Sequence, residues 1–572
     1  MRLFAWHYVL LNANSLPPSR PKRNGPSLPM AEARGFTGRI DKKRIVIIGA
    51  GIGGLSAAIR LAAKGYYVQM FERQPQIGGK LNQLVRDGFT FDTGPSLITM
   101  PEVLRELFHS ASRRLEDYLD LVPLDITCRY FYHDGLVLNA WHDAQKLAEE
   151  FARVNAHDGE ALRQFVRYAR NIYEAAANPF LYHSLGGPLD VLRTLVRYVL
   201  KGYDEHVEAA RSAHQFIAPE NAEDKIRSVG ARFRAVLSAL APQTLDQCVR
   251  SFFEDEHVRQ LFDRYATYNG SSPYQVASVY SIIPYVELAS GGWYVQGSIY
   301  TLAQVLGRLA RELGVCIETN CGVQRILVEH GEARGVVLDE GRVVRCDVVI
   351  ANSDVVTTHR QLLSPAVRNE RLVRYLERLE PSCSGFVLML GTDKHYPQLS
   401  HHNIFFSDDY RTEFNDLFVR RVPQQNPTIY ICATSRTDAS QAPEGHENLF
   451  VLVNAPYLTS EVNWQCEAAA YRERVLDVLT LYSQAELQDL REHIVCEAML
   501  TPEDFWHKYG ANRGAIYGLS SNARMAPFTR PGNRSEIHHL YFVGGSTHPG
   551  GGVPLVVLSA KIVAEMVERE LA

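Results

Sequence analysis

Apolar and polar positions near both ends of the chain predict strands and helices joined by glycine-rich turns. An apolar run at residues 45–48 meets a glycine turn, a helical pattern follows to residue 64, and a second apolar run covers residues 67–71. Near the other end, residues 540–552 have the pattern of a strand running into a glycine-rich turn, and residues 553–570 that of a helix. Short apolar runs bounded by turn residues are typical of buried strands. The patterns therefore predict an α/β domain assembled from both chain ends.

The first turn has the spacing of a dinucleotide site. Gly49, Gly51 and Gly54 form G-x-G-x-x-G between strand and helix. The first glycine permits the tight turn, the second lets a pyrophosphate approach the backbone at the helix N-terminus, and the third lets the helix pack on the strand. Glu72 ends the second strand, where a carboxylate can accept hydrogen bonds from ribose hydroxyls and would repel a 2'-phosphate. These residues predict an ADP-containing ligand other than NADP.

The residues that follow indicate which dinucleotide binds. R-x-P-x-x-G-G-K at residues 73–80 resembles the second signature of glutathione-reductase-like FAD proteins and flavin amine oxidases. FDTGPSLITMP at residues 91–101 resembles its continuation in the phytoene desaturase family of carotenoid enzymes. The resemblance implies FAD as the cofactor. It implies cofactor contacts from Arg73, Gly79, Lys80, Gly94, Pro95 and, beside the adenine, Val323.

The C-terminal turn supplies the matching half of the predicted site. Proline is favoured at the first helical position, where its fixed φ suits the helix and no hydrogen bond is lost, and Pro554 is expected there. A helix N-terminus presented to the flavin would stabilise negative charge on the N1/C2 carbonyl edge of the reduced ring. The cofactor residues predicted from this turn are Gly544, Gly545, Gly552, Val553 and Pro554.

Length and patterning divide the chain into parts. With 572 residues and 46% hydrophobic content, two to four structural units are expected. We predict a glutathione-reductase-like, Rossmann-type FAD-binding domain and an α+β substrate and membrane-associating domain, whose antiparallel sheet has a helical roof formed by residues 143–262. The FAD-binding domain takes residues 41–125, 285–356 and 530–572, and the substrate domain takes residues 126–284 and 357–529, with sheet strands at 384–392, 427–435 and 448–456.

The first 40 residues are set apart by composition. They are rich in Pro, Ser and basic residues, carry no signal-peptide cleavage pattern, and begin with an apolar stretch too short to span a membrane. We expect residues 1–40 to be a disordered extension, with translation starting at Met1 or at Met30.

Charge and cysteine usage exclude some functions. The net charge is -4 and no basic tract occurs, so no nucleic-acid partner is expected. The 9 cysteines lack C-x-x-C pairs and zinc-type histidine spacing, which predicts reduced thiols and no metal. The pair His401-His402 is expected to be loop structure, because adjacent side chains on a strand point to opposite faces.

Further motifs extend the resemblance over residues 43–570. FEDEHVRQLF at 253–262 and VGGSTHPGGGVP at 543–554 are similar to phytoene-desaturase-type enzymes. YPQLSHHNIFFSDDYR at 396–411 is closer to a branch that contains carotenoid 3,4-desaturases and diaponeurosporene oxygenases, which oxidise terminal methyl groups. The resemblance implies a carotenoid substrate, hydride transfer to FAD, and a quinone or oxygen as electron acceptor.

Four functions fit these motifs. The main interpretation is an FAD-dependent carotenoid desaturase that extends a conjugated polyene. The alternative inside the family is terminal-methyl oxygenation of a diaponeurosporene-like carotenoid. Flavin amine oxidation shares both FAD turns, and a carrier with a vestigial FAD site is a non-catalytic possibility. The carotenoid, its chain length, the number of steps and the oligomeric state stay open.

Two polar residues are candidates for catalysis. His548 lies inside the C-terminal turn, where it is either a proton-transfer group or a hydrogen-bonded structural histidine. Arg170 stands where the resemblance places an arginine near the substrate, but Arg167 replaces the acid one turn earlier, which leaves an acid–base pair in doubt. A solvated helix charge is the other interpretation of Arg170.

Membrane contact is predicted for the helix at residues 189–201. Leu189, Leu192, Val196 and Val199 share one face of it. The basic residues Arg193, Arg197 and Lys201 recur every four positions, as in helices that lie in a lipid interface. Because no apolar run reaches transmembrane length, we expect a peripheral, monotopic protein at the cytoplasmic face of the membrane. A helix that covers the protein core is the alternative.

Overall fold

Strands from both ends of the chain and from its middle form the sheet that carries the glycine turns. The computed structural model describes residues 42–176, 181–183, 241–523 and 530–572, with isolated positions between 193 and 238 and Ala526. Residues from Lys43 to Ala572 form one compact unit. The predicted extension over residues 1–40, and the choice between Met1 and Met30, lie outside the described residues. Of the predicted helix 189–201, only Arg193, Val196 and Val199 are described, all in helical backbone.

The strands of the described chain are numbered in sequence order. They are β1 (Arg44–Ile48), β2 (Tyr67–Phe71), β3 (Gln83–Arg86), β4 (Phe89–Asp92), β5 (Leu121–Leu124), β6 (Ile126–Phe131), β7 (Val137–Trp141), β8 (Gly292–Val295), β9 (Cys316–Glu318), β10 (Val323–Glu329), β11 (Glu332–Leu338), β12 (Val343–Arg345), β13 (Val348–Ala351), β14 (Ser384–Thr392), β15 (His402–Phe405), β16 (Ile429–Cys432), β17 (Glu447–Ala455), β18 (Ile494–Leu500) and β19 (Leu540–Phe542).

The longer helices are numbered in the same way. They are α1 (Ile52–Ala63), α2 (Pro101–Ser110), α3 (Ala144–Ala152), α4 (Ala156–Ala176), α5 (Leu245–Arg250), α6 (Glu256–Asp263), α7 (Ile282–Ser290), α8 (Tyr300–Glu312), α9 (Glu370–Arg378), α10 (Tyr410–Asn415), α11 (Trp464–Thr480), α12 (Pro502–Tyr509) and α13 (Val553–Leu571).

A five-stranded parallel sheet has the order β19-β13-β1-β2-β9. Alternate residues of β1 point to opposite faces. Ile45 and Ile47 pack among the helices α1, α8 and α13. Val46 and Ile48 pack against the small antiparallel sheet β10-β11-β12. Both faces of the parallel sheet are therefore covered, which explains why β1 is an unbroken apolar run.

A seven-stranded sheet has the order β18-β14-β17-β16-β15-β6-β7. Phe386, Leu388 and Leu390 of β14 face α11. Val387 and Met389 face the opposite way, toward the hairpin β3-β4 and its aromatic residues. This second face is therefore joined to the chain segment that follows the first glycine turn.

The predicted strands at 384–392, 427–435 and 448–456 correspond to β14, β16 and β17, which pair antiparallel. The sheet is mixed, however, because β15 and β6 run parallel. Sequence patterns also miss β6 and β7, which enter this sheet from a distant part of the chain. The division into FAD-binding and substrate domains stays a prediction.

The helices in the described part of residues 143–262 lie over one end of this sheet. Leu147 and Phe151 of α3, and Leu162 and Phe165 of α4, share a buried cluster with Tyr130 of β6. Among the described residues, no helix is both long enough and apolar enough to cross a bilayer.

Burial of β14 predicts a stability test with a matched control. Leu388 is 1% exposed, whereas Leu481 is 61% exposed at the end of α11. Leu388→Ala leaves a cavity and should destabilise the protein by about 2 to 5 kcal/mol, whereas Leu481→Ala should stay within about 0.5 kcal/mol. Denaturant unfolding measures both. Equal unfolding midpoints would contradict this packing.

Candidate functional site

The first glycine turn ends in a helix whose N-terminus has no side-chain cap. Gly49 has a φ of 91°, and α1 begins at Ile52 with Gly51 at its N-cap and no acidic residue in its first turn. A Cβ on Gly54 would lie 2.3 Å from the Gly49 carbonyl oxygen, so only glycine allows α1 to pack on the turn. The arrangement leaves an anion-binding helix end at the carboxyl edge of the sheet.

The Glu72 carboxylate is fixed beside this turn. Its Oε2 accepts a hydrogen bond of 2.8 Å from the Ala50 N–H, and its Oε1 accepts one of 2.9 Å from the Gln74 N–H. The residue is 7% exposed. Because each carboxylate oxygen has a second lone pair, the group can still accept bonds from two ribose hydroxyls. Its placement fits the role predicted from sequence.

The second glycine pair lies directly on the first turn. The Gly78 N–H donates to the Ala50 carbonyl at 2.8 Å. A Cβ on Gly79 would lie 3.2 Å from the Gly51 Cα. A Cβ on Gly94 would lie 1.9 Å from the Lys80 carbonyl oxygen, so residue 94 must be glycine for these segments to touch. Gly94, followed by Pro95, therefore belongs to the same cluster of turns.

Asn352 joins the two glycine turns from opposite chain ends. Its Nδ2 donates weakly to the Gly49 carbonyl at 3.4 Å. A Cβ on Gly51 would lie 2.8 Å from this Asn352 Nδ2. A Cβ on Gly544 would lie 2.9 Å from the Asn352 Oδ1. The sequence analysis does not single out Asn352. Its only sequence signal is its place directly after the buried strand β13, where ligand-binding residues of parallel sheets lie.

The C-terminal turn is held by buried polar side chains. Asn533 Nδ2 donates to the His548 carbonyl at 2.8 Å and to the Ser559 Oγ at 3.1 Å. Arg530 donates to the Gly545 carbonyl at 2.9 Å, and burial lowers the pKa of its guanidinium. Neither residue is predicted from the sequence, because their partners come together only in the folded turn.

The helix after this turn also begins without a side-chain cap. Gly552 is the N-cap of α13, which starts at Val553. Pro554 is therefore the second helical residue, whereas the sequence pattern predicts it at the first helical position. Both positions lack an intrahelical N–H partner, so proline is tolerated at either. The helices α1 and α13 both start at the carboxyl edge of the five-stranded sheet.

Of three residues predicted to contact the cofactor, two hydrogen-bond to other parts of the protein, and the third lies at the start of a strand. Arg73 donates to the Lys508 carbonyl at 2.8 Å, at the C-terminal end of α12. Lys80 Nζ donates to the Ile516 carbonyl at 2.7 Å, and burial lowers the pKa of its ammonium to about 8, although the nearby Asp354 opposes the shift. Val323 is half-buried at the start of β10. Arg73 and Lys80 therefore tie the first turn to the segment 507–516.

The two catalytic candidates are both hydrogen-bonded. His548 is 3% exposed, and its Nε2 lies 3.0 Å from the His183 carbonyl oxygen. Arg170 forms an ion pair with Glu174, one turn along α4, at 3.1 Å. Arg170 is thus paired within its own helix, and His548 contacts a backbone carbonyl. The structure does not bring these two residues together with each other.

A cavity lies next to the C-terminal turn. Its volume is about 510 Å³, within the usual range for small-molecule sites. Arg530, which holds the Gly545 carbonyl, forms part of its wall. Other lining residues include Thr244, Tyr274, Leu379, Leu519 and Ala526.

The residues of the two turns fit a flavin dinucleotide. Two uncapped helix N-termini can stabilise negative charge, glycines permit close backbone approach, and a fixed carboxylate stands where a ribose would lie. Arg73, Gly79, Lys80, Gly94, Pro95 and Val323 would hold other parts of the cofactor, and that assignment stays a prediction.

Comparison with known proteins agrees with this chemistry. A family model described as "Flavin containing amine oxidoreductase" matches residues 52–567. The chain is 36% identical over 534 residues to a 4,4'-diapolycopene oxygenase from Methylomonas sp, covering 93% of this chain and 99% of that protein. It is 35% identical over 534 residues to a 4,4'-diaponeurosporene oxygenase from Staphylococcus haemolyticus, covering 92% and 97%. An oxidoreductase structure from Methanosarcina mazei has a TM-score of 0.58 at 18% identity, covering 91% of this chain and 100% of that one.

The ribose contact predicts the effect of Glu72→Ala. Losing charge-assisted hydrogen bonds of about 1.5 to 3 kcal/mol each should weaken FAD binding at least tenfold. Flavin fluorescence titration measures the dissociation constant. Glu116→Ala, a change at a side chain that is 49% exposed, is the control and should leave it unchanged. An unaltered affinity in Glu72→Ala would remove the ribose role.

The position of Asn352 predicts the effect of a new charge between the turns. Asn352→Asp is nearly isosteric and places a carboxylate where the cofactor phosphates are expected, so FAD should bind at least tenfold more weakly, a cost of about 1.4 kcal/mol or more. Asn463→Asp is the control, because the exposed Asn463 is a helix N-cap and aspartate caps equally well. Equal FAD affinity in Asn352→Asp and the wild type would show that the phosphates lie elsewhere.

Proposed function

The chain belongs to the family of flavin-containing amine oxidoreductases. Within this family, we propose that it adds oxygen at a terminal methyl carbon of a carotenoid. The observation that carries the proposal is the near full-length similarity to relatives named as oxygenases of 4,4'-diapolycopene and 4,4'-diaponeurosporene. Desaturation of a carotenoid, the main interpretation of the motifs, is the second candidate. The names of these relatives favour oxygenation over desaturation.

Both reactions draw on the same cofactor. When bound, FAD would accept a hydride, and with it two electrons, from a substrate carbon and would pass the electrons to an acceptor, for which we propose oxygen, reduced to hydrogen peroxide. In oxygenation, water would add a hydroxyl group to the carbon that lost the hydride and release a proton; in desaturation, the neighbouring carbon would release the proton instead. The protein's own part is to hold the cofactor through the two glycine turns and to orient the substrate. The uncapped start of α13 supports negative charge on the reduced ring, as the sequence predicts.

We propose that the cavity beside Arg530 receives one end of the substrate. A carotenoid has almost no hydrogen-bonding groups, so it must be recognised by shape and apolar contact. Tyr274, Leu379 and Leu519 supply the apolar part of a wall that also carries the polar residues Thr244, Gln275, Glu380, Ser520 and Asn522. Arg530 connects this wall to the predicted flavin contact Gly545, which supports this choice.

We further propose that the substrate is taken from a lipid surface. The supporting feature is the predicted amphipathic helix at residues 189–201, most of which lies outside the described residues. Within it, Val196 is 48% exposed, and Arg193 is exposed one turn earlier in the helix. An apolar and a basic side chain in neighbouring turns suit an interfacial helix.

The product distinguishes the candidate reactions. A host that makes 4,4'-diapolycopene and 4,4'-diaponeurosporene should, on expression of this protein, accumulate pigments that have gained oxygen, as mass spectrometry of the extracts would show. The control is Gly51→Val, whose side chain would meet Asn352 and block phosphate approach, so that flavin and pigment conversion are lost together.

Two results would contradict oxygenation. Pigments that only lose hydrogen would assign the protein as a desaturase. Unchanged pigments, together with hydrogen peroxide release from simple amines by the purified flavoprotein, would assign it as an amine oxidase.

A further inference from the structure

Three buried side chains on the seven-stranded sheet form a group outside the flavin turns. One ring nitrogen each of His401 and His402 and the Sγ of Cys432 all lie within 4.8 Å of one another. All three residues are buried, at 4%, 2% and 1% exposure. No step of the proposed reaction uses them.

Strand pairing explains why these residues converge. His402 and Cys432 are direct partners in the antiparallel pair β15-β16, so their side chains lie on the same face. His401 precedes β15, and its carbonyl accepts a hydrogen bond from the Ala433 N–H at 2.8 Å. The two imidazole rings are 4.4 Å apart between centroids. The expectation that they point to opposite faces is therefore wrong, because His401 does not belong to the regular strand.

Hydroxyl groups orient the two histidine rings by hydrogen-bonding to their Nδ1 atoms. His401 Nδ1 lies 2.6 Å from Thr437 Oγ1, and His402 Nδ1 lies 2.7 Å from the Tyr430 hydroxyl. The Tyr430 hydroxyl also lies 2.6 Å from Ser96 Oγ, so it can donate there and accept from His402. Metal-binding histidines commonly donate their second ring N–H to an oxygen in this way.

The remaining ring nitrogens have no hydrogen-bond partner among the described residues. These are the Nε2 atoms of His401 and His402, both buried. Buried polar atoms are normally satisfied, so two orphaned nitrogens in one cluster need an explanation. With Nδ1 carrying the proton, each Nε2 presents a lone pair, which is what a cation requires.

The protonation states of the group suit a cation ligand set. Burial lowers the pKa of His401 to about 3 and holds the pKa of His402 well below its usual range, which favours the neutral form of both rings. Burial also raises the pKa of the Cys432 thiol. A metal ion would displace the thiol proton, because coordination stabilises the thiolate. The nearby positive charge of Arg264 is compensated by Glu287 at 3.6 Å.

We propose that His401, His402 and Cys432 bind one divalent transition-metal ion of the zinc and copper class. Two imidazoles and a thiolate are the donors these borderline-soft ions prefer, and a carboxylate-free set does not suit magnesium or calcium. Metal–ligand bonds of about 2.0 to 2.3 Å require the three ligand atoms to move closer to one another by roughly an ångström. Three protein ligands leave a fourth position open. Ser96, which contacts Tyr430, follows Pro95, so the ion would lie beside the predicted flavin segment.

The test uses the purified, flavin-loaded full-length protein after chelator treatment. Equilibrium with zinc, and separately with copper, is followed by metal analysis, and cobalt serves as a spectroscopic probe for the zinc site. Tetrahedral cobalt bound by a thiolate absorbs in the red, where oxidised flavin does not. The variants are His402→Gln and Cys432→Ser. The matched controls are His359→Gln and Cys383→Ser, both buried and outside the group.

We expect one equivalent of zinc or copper in the wild type and in both controls. His402→Gln and Cys432→Ser should bind at least tenfold more weakly, and Cys432→Ser should lose the red cobalt bands while keeping its flavin absorbance. Should the variants fail to fold, the wild type must still show the red cobalt bands of a thiolate-bound tetrahedral site, and an excess of zinc must abolish them. No stoichiometric metal in the wild type, or binding that survives both substitutions, would overturn the proposal. The flavin readout is separate, so neither result depends on the proposed function.

Discussion

The pairing of β13 with β1 on one side and β19 on the other is the constraint on which the predicted flavin site depends. Ile350 pairs with Ile47 and with Tyr541, so the middle of the chain holds its two ends in one parallel sheet. Asn352 follows two residues later and reaches both glycine turns. Without this register, each turn would be an isolated loop with half the donors that a dinucleotide requires.

Local sequence signals explain how much of this site can be predicted. Gly49, Gly51 and Glu72 follow or precede apolar runs, and Gly544 follows one, so spacing alone places them. Arg530 has no such signal, and although Asn352 follows the apolar run of β13, its role depends on which strands and turns become neighbours in the folded chain. The same limit applies to β6, whose partner β15 lies far away in sequence.

The histidine pair shows why a local rule can fail. Alternation along a strand holds only for residues inside it, and His401 lies just before β15. Cys432 joins the pair through the register of β15 and β16, which is set by long-range pairing. A motif search for metal spacing cannot find such a group, because two of its members are adjacent and the third comes from another strand.

The seven-stranded sheet packs against the segment that follows the first glycine turn. One face of β14 packs on α11, and the other meets Phe89 and Phe91 of the hairpin that follows the first glycine turn. Tyr430 reaches Ser96 from this second face. The segment that follows the first glycine turn and the seven-stranded sheet are thus packed directly on each other, which suits a reaction that needs a fixed geometry.

Amide hydrogen exchange tests most directly whether both chain ends form one flavin site. Exchange should be compared between the flavin-loaded protein and the same protein stripped of flavin. We expect the turn at residues 49–54 and the turn at residues 544–554 to lose protection together when FAD is removed. Loss of protection in one turn only, with the other unchanged, would contradict a site shared by both ends.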